Sequence, residues 1–260
     1  MARPGSPLTT ARFGQLASVL PDCPSTQDIV RAAAATGAPE GFIAVADHQT
    51  AGRGRRGRTW SDEPGQALML SLLLRPDAPT SELAPLALVL GIAVAEALPV
   101  AARLRWPNDV VLDGAKLAGI LTELETPADG GRYVVAGIGI NVNTPADQLP
   151  ATDRLPATSL LAATGERQDR LALLHAVTDR IQATYREWEE LGFAALFDRF
   201  RALDDLAGRE VVLQLGDGMA EGVAAGVDVA GRLVVELADG SELRLDAGEV
   251  VRVDDDPAGR

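Results

Sequence analysis

The sequence predicts an α/β (α+β) chain: a mixed-sheet domain over residues 1–207 followed by a small β-barrel over 208–260. Three observations support this. Short apolar runs of strand length alternate with helical stretches as far as about residue 205. Beyond Gly208 the composition changes to β-rich runs separated by turns. Hydrophobic residues at 47% and charged ones at 23% are the proportions of a chain with a substantial core.

Ser25 and Thr26 open the segment STQDIVRAAAA, whose cap residues and alanines predict a strand-to-helix junction. Phe42–Ala46 and residues 67–75 (ALMLSLLLR) are apolar runs suited to buried strands, which leaves the arginine-rich segment between them on a loop. Ser81–Leu98 has the composition of a buried helix that begins at a serine cap. Residues 104–125 predict a strand, a Pro107-Asn108-Asp109 turn, and a hairpin turning at Asp113-Gly114 into a strand over Leu117–Glu123. YVVAGIGINVN adds a further strand, and the three prolines of residues 144–158 mark a loop. Leu171, Leu174, Val177, Ile181, Tyr185 and Trp188 recur at helical spacing on one core-facing stripe, and FAALFDRFRAL continues in helical style. The runs VVLQL, GVAAGVDV, LVVEL, ELRL and EVVRV are the barrel strands, with turns at Gly216-Asp217-Gly218 and Asp239-Gly240; the acidic end VDDDPAGR reads as a solvated tail.

No signal-peptide core and no uninterrupted apolar stretch of spanning length, roughly 18 residues, is present, so a cytoplasmic protein with no membrane partner is expected. One cysteine, Cys23, allows no internal disulfide, and two histidines, His48 and His175, build no Cys/His zinc cluster. Any metal would sit on oxygens. A net charge of −13 argues against a general nucleic-acid surface, yet Arg53, Arg55, Arg56 and Arg58 crowd into six residues. In GRGRRGR the glycines allow close backbone approach and the guanidinium forks suit a carboxylate or phosphate. An RGG-like nucleic-acid segment is the alternative reading of those residues.

Other segments are weaker alone. Asp109 in RWPND is a turn former as well as an oxygen ligand for Mg2+ or a phosphate-bound water. Lys116 leads a strand after a tight turn, and Gly119, Gly137 and Gly139 offer close approach to a ligand or plain packing. GIGIN opens no helix, so it is no dinucleotide fingerprint. His48 and Cys23 read as structural residues.

Taken together, STQ, HQTAGRGRRGRTW, RWPNDV, KLAGIL and GIGINVN resemble, in order and spacing, the ligase domain of the biotin-protein ligase family, a class II synthetase-like biotin/lipoate ligase fold with an SH3-like C-terminal barrel. The resemblance implies an enzyme that makes biotinyl-5'-AMP from ATP and biotin and passes the biotinyl group to a lysine of a biotin carboxyl carrier domain. It implies Ser25, Thr26, Gln27, Gln49, Gly52, Arg53, Gly54, Arg55, Lys116, Gly119, Gly137 and Gly139 around biotin. Arg55, Arg58, Trp60 and Asn141 are implied near the nucleotide, Asp109 with Mg2+, and Lys116, Arg53 and Arg55 at the reacting carboxylate and phosphate. Two residues depart from the family pattern: Gln27 where an asparagine is usual, and Arg105 where a lysine is usual. With some 20 residues before STQ, an N-terminal DNA-binding domain and DNA as a partner are not expected; a homodimer is left open. A lipoate-protein ligase of the same fold is the nearest alternative, and a nucleic-acid-binding module is the alternative of a different class.

Overall fold

A computed structural model describes residues 13–15, 17–128, 131–151, 155–216 and 218–253. Asp217 and all but the first residue of the acidic tail lie outside these. The elements run in chain order β1 (Ala17–Cys23), α1 (Thr26–Ala35), β2 (Ile43–Gln49), β3 (Gly52–Arg53), β4 (Thr59–Trp60), β5 (Ala67–Leu74), α2 (Leu86–Ala97), β6 (Arg103–Arg105), β7 (Asp109–Leu112), β8 (Ala115–Glu125) and β9 (Tyr133–Asn141). There follow α3 (Leu160–Thr164), α4 (Arg170–Leu191), α5 (Phe197–Leu203), β10 (Glu210–Leu215), β11 (Gly218–Val227), β12 (Leu233–Glu236), β13 (Glu242–Leu245) and β14 (Glu249–Val253).

The large sheet has the order β1-β2-β5-β9-β8-β7-β6. Only β1 and β2 run parallel; the other neighbours are antiparallel, so the sheet is mixed. Its two faces differ because strand side chains alternate. Leu70, Leu72 and Leu74 of β5, Ile138 and Ile140 of β9, and Ala118 and Ile120 of β8 join the main core with α2 and α4. On the opposite face α1 covers one end, packing Val30 against Ala44, Leu73 and Val135. The rest of that face carries glycines and polar residues.

The β7–β8 hairpin turns at Asp113 and Gly114, which both have positive φ (49° and 78°), as a two-residue primed turn demands. A register shift follows between Lys116 and Ala118, a bulge that re-aims the start of β8. The buried helix begins later than its serine suggested. Pro85 sits at the N-cap of α2 and disfavours helical backbone in the residue before it, leaving Thr80–Glu82 as a separate 3-10 turn. Residues 80–97 together have the length and hydropathy of a membrane span among the described residues, but Leu86 and Leu88–Ala95 are buried, so this hydropathy belongs to a core helix.

α4 is capped by Asp169, whose carboxylate accepts the N–H groups of Leu171 (2.8 Å) and Ala172 (3.2 Å). Its buried stripe is Leu173, Val177, Ile181, Tyr185 and Trp188. Leu171, placed on that stripe by spacing alone, is 61% exposed in the first turn, and Leu173 takes its place. The C-terminal strands form a five-stranded antiparallel sheet, β13-β12-β11-β10-β14, an SH3-like arrangement whose Val211, Leu213, Leu233 and Val235 join the main core. Trp106 donates to the Gly231 carbonyl (3.2 Å), fastening this sheet to the ligase-like part.

Candidate active site

The site grows from the register of the sheet. Across β7, β8 and β9, Asp109 faces Gly119 and Gly119 faces Gly139; two residues on, Gly137 faces both Leu121 and Ser71. GIGIN therefore alternates by design of period two: Ile138 and Ile140 point to the core, Gly137 and Gly139 to the other face. That face is the floor of a cavity of about 590 Å3, walled by the β2–β5 connection, α1, the β7–β8 hairpin and Pro150, Ala151, Leu155 and Ala157.

The glycines make room first for protein side chains. A Cβ on Gly139 would lie 2.6 Å from the Trp60 ring, and one on Gly137 would lie 3.0 Å from Gln27. A Cβ on Gly119 would lie 3.1 Å from Lys116 and 3.2 Å from Trp60. The Trp60 indole N–H is buried without an acceptor among the described residues, and Lys116 Nζ stands 5.7 Å from the ring centroid.

One end of the cavity is neutral and polar. The Thr26 hydroxyl meets Ser71 Oγ at 2.7 Å, and Gln49 Oε1 accepts from Thr26 N (2.7 Å) and Thr26 Oγ1 (3.0 Å). Ser25, Thr26 and Ser71 are buried. Ser25 also caps α1 through Gln27 N. The other end is charged. Lys116 Nζ lies 2.6 Å from Asp109 Oδ1, and Arg55 donates to Asn108 Oδ1 (3.3 Å). Burial pushes the Arg55 guanidinium below its ordinary range, with Arg56 adding to the effect and Asp109 and Glu249 opposing it. An anion at this end would relieve that penalty. Asp109, 4% exposed, puts a hard oxygen donor on the wall, and one carboxylate completed by phosphate oxygens is an ordinary Mg2+ donor set.

Of the residues singled out from the sequence, the structure brings Ser25, Thr26, Gln27, Gln49, Arg53, Gly54, Arg55, Arg58, Trp60, Asp109, Lys116, Gly119, Gly137, Gly139 and Asn141 to the cavity wall. Gly52 is not on it. A Cβ there would lie 2.5 Å from the Trp60 carbonyl, so the β3–β4 pairing explains this glycine. Arg53 lines the wall, but its guanidinium is engaged by Asp28 (2.7 Å) and Gln27 (3.4 Å). Asn141 lends its amide to the Thr158 carbonyl (2.9 Å), and Lys116 binds the same loop through its backbone, to Pro156 and Thr158.

Both departures from the family pattern have partners. Gln27 reaches Glu123 Oε2 (2.7 Å), a carboxylate that also holds Arg31 (2.6 Å). Arg105 points away from the cavity and pairs with buried Asp205 (2.6 Å). Among the wall residues that drew no role from the sequence, Ser71 carries one signal, a lone hydroxyl in an apolar strand, and Asn108 stands inside RWPND; Glu249 carries none. Glu249 comes from β14 and pairs with Arg56 (2.8 Å) and Arg58, so the barrel reaches the arginine segment.

The pattern of the Biotin/lipoate A/B protein ligase family matches residues 20–143, and that of the Biotin protein ligase C terminal domain matches 207–253. Over 239 residues the chain is 34% identical to the biotin--[acetyl-CoA-carboxylase] ligase of Mycobacterium tuberculosis, covering 88% of this chain and 86% of that protein. The chain belongs to the biotin protein ligase family. These are enzymes. Another member, the bifunctional ligase/repressor BirA of Bacillus spizizenii, is 36% identical over 220 residues, 83% of this chain and 68% of that protein. Among solved structures, the biotin protein ligase of Aquifex aeolicus in complex with biotin and ATP superposes with a TM-score of 0.78 at 32% identity, over 90% of this chain and 97% of the other.

Proposed function

We propose that the protein condenses biotin with ATP to biotinyl-5'-AMP and transfers the biotinyl group to a lysine of a biotin carboxyl carrier domain. The observation that carries this reading is the polarity of the cavity, with neutral hydroxyl and amide groups at one end and Arg55, Lys116 and Asp109 at the other. A ureido ring needs buried donors and acceptors, and Thr26, Ser71 and Gln49 supply them. A dithiolane ring offers these groups only weak sulfur acceptors and no donor, which favours biotin over lipoate.

In the first step the biotin carboxylate attacks the α-phosphorus of ATP and pyrophosphate leaves. No nucleophile of the protein is required. Lys116 and Arg55 would hold the charge that spreads over the transferring group. Asp109 would hold Mg2+, which when bound supplies neutralising charge to the phosphates. In the second step the amine of the carrier lysine attacks the acyl carbonyl and AMP departs. Trp60 and the arginine segment, lying over the cavity, exclude water that would hydrolyse the mixed anhydride.

The deciding assay incubates the protein with MgATP and, separately, biotin, lipoate or octanoate, and measures pyrophosphate release and acyl-AMP by mass spectrometry. A biotin-dependent signal is expected. A signal with lipoate alone would reassign the substrate, and silence with all three would remove the adenylate chemistry.

A further inference from the structure

His48 is the penultimate residue of β2 and Asp62 lies two residues beyond β4, so the arginine segment runs between them. The segment's own ladder is short: Gly52 pairs with Trp60 and Arg53 with Thr59, with four guanidiniums on or within this span. Like charges so close together favour splaying. Just outside the ladder His48 Nδ1 lies 3.1 Å from Asp62 Oδ2. The Asp62 side chain is 0% exposed, and its other oxygen is buried without a hydrogen-bond partner among the described residues. Burial pushes this carboxyl above its ordinary value, against the pull of His48 and of the Gln49 backbone N–H. Burying a carboxylate on so few partners costs stability. The location of that cost matters: Gln49, next to His48, is the acceptor for Thr26 at the neutral end of the cavity, and its amide nitrogen is among the nearest neighbours of Gly52, where the segment begins.

We infer that His48 and Asp62 are positioning residues that clasp the two stems of the arginine segment, holding Gln49 against Thr26 and the guanidiniums over the cavity. The kinetic consequence rests on the adenylate reading above; the structural one does not. A hydrogen bond to a charged group is worth about 1.5–3 kcal/mol, so loss of the clasp corresponds to an opening at least about tenfold more frequent.

The arginines themselves provide the probe, because trypsin cuts after them when the segment opens. In H48A and D62A, cleavage within residues 53–58 should accelerate about tenfold while cleavage elsewhere and the Tm stay at parental values. H48Q, whose amide can donate to Asp62, should restore the parental rate. Segment cleavage at the parental rate in H48A, equal speed in H48Q and H48A, or acceleration at all sites alike would each overturn the clasp; should D62A fail to fold, the two His48 variants decide. With MgATP and biotin, H48A should form adenylate in parental burst amplitude and lose it about tenfold faster on dilution; a parental loss rate would also overturn the clasp. If the parent forms no adenylate, the proposed function fails while the tryptic comparison still judges the clasp.

Discussion

Arg55 is set apart from the other arginines of its segment by what holds it. Arg53 is engaged by Asp28, and Arg56 and Arg58 by Glu249, whereas Arg55 is half-buried against Asn108, a neutral partner, with its guanidinium pushed below its usual range. It is therefore the arginine that gains most from an incoming phosphate. Arg55→Gly should release acyl-adenylate faster after rapid dilution, by about 10–100-fold if the lost contact is one charge-assisted hydrogen bond; retention at the parental rate would take Arg55 off the phosphate. Lys116 is different, since its bulge and its backbone bonds to Pro156 and Thr158 fix it at the start of the interior strand β8. Lys116→Ala should lower pyrophosphate release by about 10²–10³-fold while the protein remains folded, and normal turnover would exclude it from the transition state.

At the scale of elements, the β8 and β9 readings were legible because period-two alternation and a two-residue turn are local properties. GIGIN separates its isoleucines from its glycines, and Asp113-Gly114 provides the positive φ of the turn. What no local pattern announces is the partner across space. The glycines looked like room for a ligand, and part of that room belongs to Trp60 and Gln27. Gly139→Ala should displace the Trp60 indole, costing about 1–3 kcal/mol and shifting its fluorescence; an unchanged spectrum would mean that the ring moves aside freely. Arg105 departs from the family pattern, and Asp205, a hundred positions away, claims it. Because both side chains are nearly inaccessible, Arg105→Ala should destabilise the fold by about 3–5 kcal/mol in denaturant unfolding, with the kinetics of the surviving folded fraction unaltered.

For the molecule as a whole, pH acts through the contact between α4 and the end of β5. Tyr185 donates to Glu40 (3.0 Å), and burial, reinforced by the Glu40 charge, pushes the Glu189 carboxyl up to about 7. Between the ordinary glutamate value near 4.5 and 7 the folded state holds a proton that the unfolded state has lost, so raising the pH across this window favours unfolding through this group. Glu189→Gln should match the parent below pH 4.5 and exceed its Tm at pH 8, and equal melting at pH 8 would remove Glu189 from the balance. The C-terminal antiparallel sheet was legible in its run of short β-rich segments, whereas the role of Glu249 was not, because it depends on contact with the distant arginine segment. That contact limits the exchange of parts between relatives. A chimera carrying a foreign barrel without an acid at this position would leave Arg56 and Arg58 repelling each other above the cavity, so barrel and segment would have to be exchanged together despite lying some 190 positions apart.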